Sequence, residues 1–121
     1  MYDFHAVMRV SQEQHKDITT GILTTAVESG WGDWFAYKSH RDPETAWVLS
    51  ANVLDIEEGT IHAIGQAKIW AALNAAMSSN LASYLKRDVL QCILDGDAAA
   101  LDAEGADAII QLAIFGELVY G

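Results

Sequence analysis

Residues 28–38 read ESGWGDWFAYK, and the fold turns on where in this stretch a helical period gives way to a strand period. Upstream, apolar positions recur three and four residues apart; downstream, aromatic and β-branched residues take over. Gly30 is placed to close a helix as a left-handed C-terminal cap. Gly32 and Asp33 then carry the turn, Asp33 through bonds to its own neighbouring amides. Trp31, Trp34, Phe35 and Tyr37 either cover this corner or line a binding wall.

Working backward, SQEQ at 11–14 offers Ser11 as an N-cap, with Gln14 able to bond back to the cap amide. Ile18, Ile22 and Ala26, joined by Leu23 and Val27, form one apolar face, while Glu13, Lys16, Asp17 and Glu28 fall on the wet side. Working forward, WFAYK and TAWVLSANVLDI have strand composition. Alternation in the second run sets Trp47, Leu49, Ala51 and Val53 on one face and Val48, Ser50, Asn52 and Leu54 on the other. SHRDPE is the connecting loop, and DIEEG reverses the chain. TIHAI then forms a short third strand, unless Thr60 caps a helix that starts at once; so short an apolar run fits both periods.

The second half has helical spacing. A helix over Gln66 to Met77, rich in alanine and poor in polar surface, is expected to be covered nearly all round, with Trp70 in the interior beside Trp47. Asn80 is a candidate cap for LASYLKRDVLQCIL, in which Leu81, Leu85, Val89 and Cys92 share a face and which Asp95-Gly96 ends. DGDAAALD is a turn or helical link. DAEGADAIIQLAIF is the last helix, with Ile110, Ala113 and Ile114 inward, acidic residues in its early turns, and Gly116 at its end. ELVYG is apolar enough to dock on the body or on a second subunit. The expected fold is α+β in a single domain over 1–121: an N-terminal helix, a small antiparallel three-stranded sheet, then about three alanine-rich helices covering one side of it.

Seven Lys and Arg against seventeen Asp and Glu give a formal charge of −10. That field opposes direct contact with nucleic acid and favours basic protein surfaces. The lone Cys92 excludes an intrachain disulfide and a cysteine metal cluster, and reads as a small buried hydrophobe. MYDFHAVMRV carries neither the basic region nor the apolar run of a signal peptide. No stretch has the roughly 20 apolar residues of a membrane span. A cytoplasmic protein is expected.

Two segments carry a resemblance. ESGWGDWFAY near the front and ADAIIQLAIFGELVYG at the end resemble a widespread family of small bacteriophage proteins. Its members combine a Glu-Gly-Gly-x-Gly-Tyr-Trp turn with an Asp-x-x-x-Gln-x-Ala-x-Phe-Gly-Glu-x-x-Tyr-Gly ending. Glu28, Gly30, Gly32 and Trp34 match the first; Asp107, Gln111, Ala113, Phe115, Gly116, Glu117, Tyr120 and Gly121 match the second. Ser29 and Asp33 depart from it, standing where that pattern has glycine and tyrosine. The resemblance implies a phage origin, a host-cell location and a shared architecture, and no particular chemistry.

No phosphate loop, dinucleotide fingerprint, HExxH or Gly-x-Ser-x-Gly elbow occurs, so no catalytic residue, metal or cofactor is assigned. His40 and Asp42, with His62, are a conceivable metal set, against which stands Arg41 beside them. Glu28 and Asp33 are a conceivable acid and base pair, against their simpler roles as helix end and turn. Lys86-Arg87-Asp88 reads as a solvated helix face. The candidate ligand or partner site is therefore aromatic: Trp31, Asp33, Trp34, Tyr37, Lys38 and Trp47. The expected function is that of a non-enzymatic phage accessory protein that binds and modulates a host component, such as a defence protein. The alternatives are an oligomeric protein that sequesters a small nucleotide-like molecule, and a phage structural or assembly protein.

Overall fold

A computed structural model describes residues 12–29, 34–78 and 81–116. Helix α1 (Gln12–Ser29) leads into strands β1 (Trp34–Arg41), β2 (Val48–Asp55) and β3 (Thr60–Gly65), followed by helices α2 (Gln66–Ala76), α3 (Ser83–Asp95) and α4 (Ala103–Phe115). This is the expected α+β order. The Ser11 cap, the Gly30 cap, Trp31, Gly32, Asp33, Asn80 and the tail at 117–121 lie outside the described residues.

In α1 the expected face is the buried one: Ile18, Ile22, Leu23 and Ala26 are closed from solvent. Complete burial of such a side chain contributes about 1.5–3 kcal/mol. The buried Thr19 and Thr20 in the same helix satisfy their hydroxyls by donating to the carbonyls of His15 and Lys16, at 2.9 and 2.6 Å. Gly21 is required by close approach. A Cβ there would lie 2.7 Å from the Ala98 Cβ and 3.2 Å from Trp47 Cζ3.

The sheet is antiparallel in the order β1-β2-β3, which settles Thr60 as the start of a strand. Asp55 ends β2 and holds the reversal, its Oδ1 accepting from the amides of Glu57 (3.1 Å) and Glu58 (3.4 Å), with Gly59 at φ +71°. Between β1 and β2 the Asp42 carboxylate accepts from the Glu44 and Thr45 amides, and Ala46 sits at φ +63°.

Face alternation along β2 differs from the simple pattern. The pairing steps from His40↔Ser50 to Arg41↔Val48, so Leu49 is an extra residue, a bulge that resets the parity. Val48 is therefore buried, alongside Ala51 and Val53, while Trp47 precedes the strand and is 42% exposed. A second bulge, between Ala36↔Val53 and Lys38↔Asn52, makes Tyr37 the extra residue of β1. The Thr24 hydroxyl fixes the start of β2 by accepting from the Val48 amide at 2.9 Å while donating to the Thr20 carbonyl at 2.7 Å.

All four described helices contribute to a core that lies on one side of the sheet, where Val48, Ala51, Val53 and Ile64 meet Ile22, Ile69, Leu73 and Ile109. Helix α2 is not covered all round. Ile69, Ala72, Leu73 and Ala76 are buried, but Ala67, Lys68, Ala71, Asn74 and Ala75 face solvent, because alanine tolerates water and the helix has only one packed side. Trp70 is half-buried, its ring 4.3 Å from that of His15. Helix α3 begins at Ser83, with Ala82 in the cap position, and keeps the expected face of Leu85, Val89 and Cys92. Gly96 and Gly116 end α3 and α4 in left-handed geometry, and Asp102 caps α4 through the Gly105 amide. In α4, Ile110 is inside, whereas Ala113 and Ile114 are half-buried.

Candidate functional site

The sheet has two faces of opposite character. On the inner face at one end, Trp34 is 4% exposed and donates its indole N–H to Asp107 Oδ1 at 2.5 Å. Gln111, one helical turn along α4, donates to Asp107 Oδ2 at 2.7 Å. Each oxygen of a buried carboxylate thus accepts a hydrogen bond, which offsets a desolvation penalty of several kcal/mol. Trp34 belongs to the front segment of the phage-like resemblance, and Asp107 and Gln111 belong to its terminal segment. The structure joins them in one buried network. An Asp and a Gln four residues apart inside the apolar run ADAIIQLAIF are the sequence signal for it.

The outer face follows from the register. Phe35 pairs with Leu54, and Leu54 with Ile61, so these three side chains form a row crossing all three strands. Phe35 is 53% and Ile61 59% exposed, and Tyr37 and Ile56 beside them are also open to solvent. The next row along the strands is Lys38, Asn52 and Ala63, and the one after it His40, Ser50 and Gly65. One end of this face is apolar and aromatic; the other is polar and basic.

Of the six residues expected to form one aromatic site, the four described ones, Trp34, Tyr37, Lys38 and Trp47, do not share one surface. Trp31 and Asp33 lie outside the described residues. Trp34 is part of the core, so it forms no wall of a surface site. Lys38 is on the outer face, and Tyr37, the extra residue of the β1 bulge, is exposed. Trp47 stands elsewhere, over Gly21, where with Thr24, Thr25, Asp97, Ala98, Ala99 and Leu101 it lines a cleft of about 470 Å³. The sequence pattern pointed to Phe35 but missed Leu54 and Ile61, because only the cross-strand register shows that they are adjacent to it.

The other conceivable centres are dispersed. His40 pairs with Ser50 on the outer face, while His62 pairs with Val53 on the inner side and meets the Phe115 ring at 6.1 Å, edge-on. A sheet therefore separates the two imidazoles. Among the described residues no group of three or more His, Cys, Asp or Glu side chains is placed to hold a metal ion. Glu28 lies 4.0 Å from Arg41 in an exposed ion pair. Burial pushes the Cys92 thiol up to about 11, so at neutral pH it is neither thiolate nor nucleophile. Among the described residues no helix is long and apolar enough to cross a membrane.

Comparison with family models, curated proteins and solved structures gives no match.

Proposed function

We propose that the chain is a non-enzymatic binding protein that docks a protein partner on the outer face of its sheet. The observation that carries this is the row Phe35–Leu54–Ile61 on the face opposite the described helices, with Tyr37 and Ile56 exposed nearby in sequence. Large apolar side chains exposed singly are ordinary; a contiguous group across three strands is what protein contact sites use. The resemblance to phage proteins supplies the context, in which the partner is a host component. The formal charge of −10 favours one with a basic rim.

The test is a photo-crosslinking residue placed at Phe35 or at Ile61, with Tyr84 on α3 as an exposed control. Expression in the host should give one common adduct from both sheet positions and none from the control. The double variant Phe35→Ser, Ile61→Ser should keep the urea midpoint of the parent and lose retention of that same protein. Retention unchanged in the double variant would sink the proposal.

One observation favours a second reading, a small-molecule binder: the Trp47 cleft, with its small-residue floor and aromatic wall. A nucleotide panel that raises the thermal midpoint and quenches Trp47 fluorescence would support it. A midpoint unmoved by every member would remove it.

A further inference from the structure

The polar end of the outer face is a groove of about 320 Å³, with Lys38 and His40 of β1, Ser50 and Asn52 of β2, and Lys68 of α2 among its lining residues. We propose that it is a binding site for a phosphate monoester of a small molecule, with the phosphoryl group held between Lys38, His40 and Lys68. The site goes beyond the docking reading and stands without it, since it requires no protein partner.

Charge placement is the first support. The chain carries seventeen acidic and seven basic residues, yet among the described residues no carboxylate lines this groove while two lysines and a histidine do. Lys16 and Arg41 are taken up in ion pairs with Asp42 and Glu28. Among the described residues Lys38 and Lys68 have no such partner. Two lysines lining one groove attract an anion bound between them.

Donor number is the second support. Lys38 and Lys68 each offer three N–H donors, and Ser50 and Asn52 add neutral ones from the floor. A phosphoryl group, with three terminal oxygens and up to two charges, uses more of these donors than a carboxylate does.

The rest of the ligand has a defined direction. Successive rows on one face of a strand lie about 7 Å apart. A ligand anchored at the His40–Ser50–Gly65 row and crossing the Lys38–Asn52–Ala63 row therefore reaches Phe35, Leu54 and Ile61 with its body. An aromatic or otherwise apolar body fits that end.

The experiment is an amide-resolved NMR titration of the full chain with inorganic phosphate, with AMP, and with adenosine as the phosphate-free control. Phosphate and AMP should shift the amides of residues 50–52 and 65–68 saturably, and AMP, the tighter ligand, should also shift Phe35 and Ile61. The double variant Lys38→Ala, Lys68→Ala should weaken binding about tenfold or more, whereas Lys86→Ala on α3 should leave it unchanged. Added salt should weaken the parent's affinity. Absence of saturable shifts in the groove, shifts reproduced by adenosine, or equal affinity in the double variant would overturn the site. AMP bound no more tightly than inorganic phosphate would overturn its assignment to a monoester.

Discussion

The two faces of this sheet are built from the same strands and differ in what holds them. The inner face is over-determined: Val48, Ala51, Val53 and Ile64 pack against the helices, and Trp34 is tied to Asp107 and Gln111 by hydrogen bonds. The outer face presents comparable residues, Phe35, Leu54 and Ile61, of which Phe35 and Ile61 are more than half exposed among the described residues. Since Ile61 and Ile64 stand three residues apart on one strand, the difference between them is position and not composition. Apolar surface on the inner face is used for stability; the same kind of surface on the outer face is left exposed at Phe35 and Ile61 among the described residues.

The most severe way to break this contrast is to truncate both isoleucines. Ile64→Ala should cost about 2–5 kcal/mol, because a fully buried side chain leaves a cavity the surrounding helices cannot close. Ile61→Ala, at 59% exposure, should stay within about 0.5 kcal/mol of the parent. Urea unfolding of both variants decides it, and equal losses would show that the outer face is covered.

Next in size is the network at the buried end. Trp34→Phe keeps an aromatic ring and removes the indole N–H, leaving Asp107 Oδ1 without that donor. A loss of about 1–3 kcal/mol is expected. A double-mutant cycle with Asp107→Asn should return a clear coupling energy; strictly additive losses would mean that the two side chains do not act as a pair.

Helix α1 was legible because Ile18, Ile22 and Ala26 repeat at the spacing that one face of a helix requires, and nothing in the tertiary structure competes with it. The faces of β2 were legible only from Ser50 to Leu54. Leu49 is the extra residue of a bulge, and a bulge shifts parity without a compositional mark, which is how Trp47 came to be assigned to the interior. Trp34 and Asp107 are 73 positions apart, and no local pattern announces such a pair. The outer row was not legible: Leu54 and Ile61 come beside Phe35 through strand pairing, which sequence alternation alone does not provide.

A smaller effect sharpens the comparison at the turn that joins β1 to β2 and so sets the register of both faces. Ala46 has φ +63°, a left-handed conformation that costs a residue with a Cβ. Ala46→Gly should raise stability by about 0.5–1 kcal/mol in thermal or urea unfolding, even though glycine adds freedom to the unfolded chain. An unchanged or lowered stability would mean that the turn is not held in this form.

The smallest expected effect is a pH dependence from the same turn. Hydrogen bonds from the Glu44 and Thr45 amides, with help from Lys16, hold the Asp42 carboxyl below the usual 3.8. A carboxyl lowered on folding binds fewer protons in the native state than in the unfolded one, so its stabilising contribution is complete above about pH 4 and declines as pH falls through the native value. Asp42→Asn retains an acceptor oxygen for the Glu44 amide and abolishes the titration. The variant should therefore show a shallower loss of stability below pH 4 than the parent, with little difference at pH 7. Identical acid slopes would place the pH sensitivity of the fold elsewhere and remove this turn from the elements that distinguish the ordered inner face from the open outer one.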